Sequence, residues 1–380
     1  MKHIFFQAAF LLPSALCAQP FAIGSTNITF YDAGRDRNVA CELHYPANTA
    51  GTDVPVTDGS FPVLAIGHGF VMTVDAYTYL WEYFVPLGYI VALPTTEGGF
   101  APVHANFGGD LAFLANTIIS SNDDAASPFY QHVLPKAALL GHSMGGGASF
   151  LGAANNGNIQ ALIALAPAET DPSAIASASA VLVPTLVFAA SEDCVTPIPE
   201  HAGPIYAAIN SPCKAFVNIT GGGHCYFGDN SFTCSFGELT CGPDLTISRE
   251  QQQTVVTDIA DLWLRYHLLG DVFSYEPLLD SLASSDRFVA ETTCLSTPLS
   301  IIDQSTEDPS VLVQNGSLLV ERLLKGDQVQ LVDALGRIRW SGLSASNMLL
   351  IDTHDLVAGS YVLVLRGQRA TTSQIFVISR

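Results

Sequence analysis

Positive charge is scarce in this sequence. Only 15 of 380 residues are Lys or Arg, against 35 Asp or Glu, which gives a formal net charge of −20 at pH 7. A chain this acidic is a poor partner for nucleic acid or an anionic membrane surface, because both would repel it. The charge reads instead as a solubility device. Charged residues of both signs make up 13% of the chain, against about 25% in a typical soluble protein. The 48% of hydrophobic residues can therefore furnish a sizeable core. The body of the chain also lacks a long unbroken apolar run. Its best candidate, "SAIASASAVLVPTLVFAAS" (173–191), is interrupted by serines and by Pro184. It reads as a short connecting helix followed by a buried strand, and no transmembrane segment is expected in the mature chain.

An apolar run does occur at the start, in "MKHIFFQAAFLLPSALCAQP". Lys2 and His3 precede the run from Ile4 to Leu12, and small residues end at Ala18. This is the layout of a secretory signal peptide, residues 1–18, and it implies a secreted or cell-surface protein. Leu16 before Cys17 does not suit a lipoprotein cysteine. Of eight cysteines, seven remain after Ala18. Disulfides are expected in an exported chain, and an odd number leaves at least one cysteine outside them. The triplets at Asn27, Asn218 and Asn315 match glycosylation acceptors, but Asn218 falls on a predicted core strand.

From about residue 25, short apolar runs alternate with helical patterns. "FPVLAIGHG", "YIVALPT", "KAALLGH", "QALIALAPA", "PTLVFAAS" and "KAFVNIT" read as strands. Residues 75–87, "GGDLAFLANTIISS" and the capped "SREQQQTVVTDIADLWLRYHLLG" read as helices. Such alternation predicts a mostly parallel sheet covered by helices on both faces, with any active site at the carboxyl ends of the strands. Residues 271–307 show no clear periodicity and read as a linker. From residue 308 to 380 the pattern becomes period two with Asn-Gly and Leu-Gly turns, as in a small antiparallel β-sandwich. The overall fold class is α/β with an appended all-β sandwich.

The chemistry centres on "KAALLGHSMGGGASF" (136–150). Gly-x-Ser-x-Gly between a strand and a helix is a nucleophile elbow, which would expose Ser143 at the sheet edge. A serine hydroxyl is a weak nucleophile. It needs a base, a group that orients the base, and donors for the oxyanion. In an α/β-hydrolase the order along the chain is Ser, acid, His. The acid is sought in "VFAASEDCVTP", where Asp193 is preferred, Glu192 is the fallback, and Glu169 after the preceding strand is a more distant alternative. The histidine is His224 in "NITGGGHCYFG", where three glycines let the chain turn sharply. His201 lies close behind Asp193 on a predicted helix, while His68 and His142 read as structural loop histidines. Backbone donors for the oxyanion fall at Met144, directly after the serine, and at Phe70 in "AIGHGF". No metal or organic cofactor is required.

Residues 25–270 resemble the α/β-hydrolase superfamily, and within it the cutinase-like polyester hydrolases, with dienelactone hydrolase and chlorophyllase-like groups as neighbours. "HGF", "GHSMGG", "ALAPAETDPS…VPTLVFAASEDCVTP" and "GGGHC" carry the resemblance in order and spacing. It implies a catalytic domain over 19–270, a Ser143–His224–Asp193 triad, and Phe70 and Met144 as oxyanion donors. Its substrates would be esters, including polymeric ones. In those enzymes an aromatic side chain at the position of Phe70 stands against the substrate. A tryptophan commonly follows the Ala-Pro of the sixth strand, where this chain has Ala168, so an aromatic clamp does not carry over. Phe70 and Ala168 are the expected pocket positions. Little sequence is available for a lid, so the site is expected to be open. Since Cys194 and Cys225 each follow a triad member, a Cys194–Cys225 disulfide is expected, with Cys234–Cys241 as a second pairing.

Residues 308–380 resemble the sorting domain of the Bacteroidota type IX secretion system through "VQLVDALGRIRW", "DLVAGSYVLVLRG" and "SQIFVIS". The usual Pro-Asn-Pro opening and the lysine of the last strand are missing. The resemblance implies the secretion machinery as a partner. A carbohydrate- or polymer-binding sandwich is the alternative.

Overall fold

The computed structural model describes residues 20–294, 310–314, 317–321, 323–333, 337–353, 356, 359–366 and 371–378. The expected signal peptide, Asn315 and the stretch 295–309 lie outside the described residues. The chain divides into two compact units, the second beginning at Thr297.

The first unit opens with a long antiparallel pair, β1 (Ala22–Asp32) and β2 (Arg37–Ala47), and a two-residue strand β3 (Gly51–Thr52). Strand β4 (Phe61–Gly67) leads to α1 (Thr78–Phe84), and β5 (Ile90–Pro94) to α2 (His104–Ser120). β6 (Val133–His142) runs into α3 (Met144–Ala153), and β7 (Ile159–Leu165) precedes the short α4 (Ala174–Ala178). β8 (Thr185–Ala190), α5 (Ala202–Ala208), β9 (Lys214–Ile219), α6 (Phe232–Leu239) and α7 (Arg249–Leu264) follow. The sheet order is β10-β9-β8-β7-β6-β4-β5-β2-β1-β3, where β10 is Phe288–Thr292, and β4 to β9 are mutually parallel.

The sequence explains this layering. β4, β5 and β8 are buried along their whole length, as strands covered on both faces must be. Successive residues of β4 feed opposite cores. Leu64 and Ile66 pack with Leu80 and Phe84 of α1 and Ile259 and Trp263 of α7. Val63 and Ala65 pack with Phe107 and Leu111 of α2 and Ala148 and Phe150 of α3. α7 starts at a capping box, in which the Ser248 hydroxyl accepts the Gln251 N–H and the Gln251 side chain accepts the Ser248 N–H. The segment 173–191 forms α4 and the buried β8, as its serines and Pro184 suggest. Among the described residues no helix is long and apolar enough to cross a membrane.

The expected linker needs correction. Residues 275–284 form α8 (Tyr275–Ser284), with Leu278 and Leu282 buried one turn apart. β10 then joins the edge of the main sheet antiparallel to β9, with Phe288 opposite Ile219. Cys294 closes this addition through a disulfide to Cys213. The Ser- and Asp-rich composition reflects exposed faces, and an edge strand with one buried side chain leaves almost no period-two signal.

The second unit is a two-sheet β-sandwich. β11 (Ser310–Gln314), β12 (Ser317–Glu321) and β15 (Met348–Asp352) make one sheet. β13 (Gln328–Asp333), β14 (Ile338–Leu343), β16 (Gly359–Arg366) and β17 (Thr371–Ile378) make the other. Leu318, Val320 and Ile351 of the first meet Val329, Leu331, Leu363 and Leu365 of the second in one core.

Candidate active site

Ser143 sits at the turn between β6 and α3 with φ 55° and ψ −120°, a conformation that costs a non-glycine residue energy and that surrounding structure must impose. The neighbours do so. The Ser143 N–H donates to the Leu165 carbonyl (2.9 Å), and its own carbonyl accepts from Ala168 N–H (2.9 Å) and Gly147 N–H (3.0 Å). Gly141 and Gly145 approach each other so closely that a Cβ on Gly141 would collide with the Gly145 carbonyl. This close approach lets α3 lie directly on the ends of β4 and β6.

His224 Nε2 lies 3.0 Å from the Ser143 hydroxyl, and His224 Nδ1 lies 2.8 Å from Asp193 Oδ2. All three residues are buried to within 8% of complete exclusion from solvent. Asp193 Oδ1 accepts the N–H groups of Val195 (2.9 Å) and Thr196 (2.8 Å), and Oδ2 also accepts the Thr196 hydroxyl (2.8 Å). Burial alone would raise this carboxyl. Hydrogen bonding and charge from His224, then the Thr196 donors, hold it below its ordinary value. The ring is therefore oriented with Nδ1–H toward Asp193 and Nε2 free to accept from serine. Neither Glu192 nor Glu169 takes the place of Asp193 against His224, although Glu169 lines the cleft beside Ala168. Glu192 accepts the Ser191 hydroxyl, and Glu169 accepts the Ile175 N–H at the start of α4.

The glycine run before His224 is clamped by α7. Gln252 accepts the Gly223 N–H (3.0 Å) and donates to the Gly223 carbonyl (2.8 Å), while Arg249 donates to the Cys225 and Gly228 carbonyls. Behind the histidine, the His142 ring lies 4.7 Å from the His224 ring. Burial, followed by the neighbouring His224, keeps His142 well below the ordinary histidine value, so it is neutral. Tyr77 connects it to the expected oxyanion loop. The Gly69 N–H donates to the Tyr77 hydroxyl (2.7 Å), which is also hydrogen-bonded to His142 Nδ1 (2.9 Å) and lies 3.4 Å from Met72 Sδ. His68 is a loop histidine whose ring nitrogens face the Gly69 and Thr96 carbonyls.

These groups open onto a cleft of about 420 Å³ lined by Phe70, Pro102, Met144, Ala168, Val195 and His201 among others. Met144 is the first residue of α3, so its N–H has no acceptor within the helix. His201 accepts the Glu169 N–H (2.9 Å) and forms part of the wall. The wall that carries Phe100 and Pro102 is tied down by Glu97, which accepts the Val103 N–H (2.6 Å) and pairs with Arg37 (2.7 Å). Arg37 and Arg35 in turn hold the fully buried Asp110 of α2, each with a 2.8 Å ion pair. A second cavity of about 380 Å³, beside α7, contains none of the Ser143, His224 or Asp193 side chains.

The disulfides differ from expectation. The bonds are Cys194–Cys241, Cys225–Cys234 and Cys213–Cys294, and Cys41 is free and buried. Cys194 and Cys225 do not pair with each other, and neither do Cys234 and Cys241. α6 stands between the acid and histidine loops and takes one sulfur from each, Cys225 at its N-terminal end and Cys194 just past its C-terminal end. Reading Cys194 and Cys225 as direct neighbours ignored that helix.

A family model described as PET hydrolase-like matches residues 16–237. The chain belongs to that family. The matched span holds Ser143, Asp193 and His224 and ends inside α6. Among curated relatives, "Cutinase 1" of Thermobifida cellulosilytica is 25% identical over 178 residues, covering 45% of this chain and 63% of the relative. "Cutinase" of Thermobifida fusca is 25% identical over 178 residues, 45% of this chain and 54% of the relative. "Bis(hydroxyethyl) terephthalate hydrolase" of Streptomyces coelicolor is 25% identical over 187 residues, 48% and 54% respectively. The chain thus spans less than two thirds of these relatives. α7, α8, β10 and the second unit all lie beyond the family match.

Sequence reasoning missed Thr196, Tyr77, Gln252 and the Arg37–Asp110–Glu97 network. Thr196 had a local signal, since an Asp that accepts the N–H groups two and three residues on is a common turn. The others depend on residues far apart in the chain.

Proposed function

We propose that this protein is a secreted serine ester hydrolase of the polyester-hydrolase kind. The observation that carries the reading is the continuous Asp193–His224–Ser143 hydrogen-bond chain, at 2.8 and 3.0 Å, on a strained elbow at the floor of a cleft. In this reading Ser143 Oγ attacks the ester carbonyl carbon while His224 Nε2 takes its proton. The carbonyl oxygen becomes an oxyanion, received by the N–H groups of Phe70 and Met144. Removing one such donor typically costs about 2.7–4 kcal/mol. Asp193, held ionised by its donors, orients the ring and stabilises the imidazolium. His224 then protonates the leaving alcohol, and the acyl-enzyme is hydrolysed by water along the reverse proton path. Phe70, Met144, Ala168 and Val195 give the cleft an apolar lining suited to the acyl or aromatic part of an ester. The segment between β7 and β8 holds only the short α4, which suits an open site.

Ser143→Ala tests this directly. Hydrolysis of a short p-nitrophenyl ester should fall by about a million-fold, and an unchanged rate would leave a binding protein on a hydrolase scaffold. Soluble product released from polyester film, compared with esters of increasing chain length, then ranks the substrates. We further propose that the second unit is the export signal. Truncation at about residue 305 should block export while leaving soluble ester turnover intact, and normal export of the truncated chain would overturn that assignment.

A further inference from the structure

Helix α6 is built inside out. Its sequence FTCSFGEL places Phe232, Phe236 and Leu239 at spacings of four and three, on one face. That face is the exposed one, with relative exposures of 85%, 63% and 78%. The opposite face holds Cys234 and the buried Glu238, whose carboxylate accepts the Cys225 N–H. Glu238 is the helix's one ionisable side chain, so the outward face carries no charge. A surface helix ordinarily shows the reverse pattern, and exposed contiguous apolar side chains of this size mark an interaction site.

The helix is also fixed beside the cleft. The Cys225–Cys234 disulfide joins it to the residue after His224, and Cys194–Cys241 joins its C-terminal end to the residue after Asp193. The Thr233 hydroxyl donates to the Val71 carbonyl (2.9 Å), directly after Phe70. Phe70, itself 49% exposed, packs edge-on against Phe100, which is 85% exposed. Exposed apolar side chains thus stand both at the cleft rim and on the α6 helix bonded beside it.

We propose that the outward face of α6 is a docking surface for a solid, water-insoluble ester polymer, and that it seats the cleft against that polymer. The inference rests on the ester-hydrolase reading of the cleft. A neutral apolar solid matches a face without charge. A second copy of this chain matches it poorly, since each copy carries a formal charge of −20. The two disulfides keep the docking helix in fixed register with the loops that carry His224 and Asp193.

The test separates adsorption from turnover. In a Ser143→Ala background, which leaves the polymer intact, adsorption of the full chain to amorphous aromatic-polyester particles is measured by depletion. Adding Phe232→Ser, Phe236→Ser and Leu239→Ser should lower the partition coefficient at least about tenfold, whereas Phe232→Trp with Phe236→Trp should preserve it. With Ser143 restored, the triple variant should lose particle hydrolysis in the same proportion and keep kcat/KM on p-nitrophenyl butyrate within about twofold. Unchanged adsorption of the triple variant would overturn the proposal. So would equal losses on particle and soluble ester, which would make α6 a support of the site. A wild-type dimer that the triple variant abolishes in sedimentation would also overturn it. Failure of the wild type to hydrolyse any ester would instead strike the functional reading, because adsorption is measured without turnover.

Discussion

Tyr77→Phe isolates one oxygen atom that joins the oxyanion loop to the strand behind the nucleophile. Tyr77 is fully buried, and burial raises its hydroxyl well above the ordinary tyrosine value, so it remains protonated. It accepts the Gly69 N–H at 2.7 Å and shares a 2.9 Å hydrogen bond with neutral His142. Phenylalanine fills the same space but leaves a buried N–H and a buried ring nitrogen without partners. Each unsatisfied group costs about 1–3 kcal/mol, for a total of about 2–6 kcal/mol. For a domain of this size that corresponds to a fall of roughly 3–10 °C in Tm. Gly69 immediately precedes Phe70, so releasing it loosens the placement of the proposed oxyanion donor. Complete loss of such a donor costs about 10²–10³ in kcat, and a displaced donor should cost about tenfold, with KM for a short soluble ester little changed. Calorimetry and initial rates at saturating p-nitrophenyl ester measure both quantities. A Tm within about 1 °C of wild type together with an unchanged kcat would refute the relay.

Asp110→Ala should destabilise the first unit by about 2–3 kcal/mol, because it removes the fully buried acceptor of Arg35, Arg37 and the Thr96 hydroxyl while Arg35 keeps Asp32 and Arg37 keeps Glu97; urea denaturation measures it, and a loss below about 1 kcal/mol would contradict the network. His267, beside Cys213 and Trp263, is lowered to about 4 by burial. The unfolded chain, with an ordinary value of about 6.5, therefore takes up the proton first as pH falls. Its contribution is intact above about pH 6.5 and is lost toward pH 4, about 2 kcal/mol of it by pH 5, and His267→Gln should flatten that part of the stability–pH curve. By loop length, removing the 81-residue-separated Cys213–Cys294 bond should cost about 4.5 kcal/mol, and the nine-residue Cys225–Cys234 bond about 2.5 kcal/mol. Thermal unfolding of the paired Cys→Ser variants should preserve that order, while the shorter bond should matter more to particle hydrolysis.

Local patterns carried much of this reading. The elbow was legible because Gly141 and Gly145 flank Ser143 for a steric reason visible in the structure. The placement of Asp193 and His224 beside Ser143 was legible because each follows a strand of the parallel sheet, and chain order in such folds restricts where such residues can stand. The bonds of Cys194 and Cys225 were not legible. Their partners sit at the two ends of α6, and nothing in the cysteine spacing places that helix between the loops. β10 was missed because an edge strand with Phe288 as its sole buried side chain leaves a weak alternation. Tyr77, Gln252 and Asp110 were missed for another reason. Each has at least one partner 29 or more residues away in the chain, and no local pattern encodes such pairs.

The most direct test of the central claim is covalent trapping. The full chain is treated with a p-nitrophenyl alkylphosphonate, whose phosphorus a serine nucleophile attacks with release of p-nitrophenolate, and the peptides are mapped by mass spectrometry. The account predicts one phosphonyl group per chain, on Ser143, with ester turnover lost in step with labelling and labelling abolished in His224→Ala. Full labelling at another residue, or undiminished turnover after Ser143 is fully modified, would contradict it.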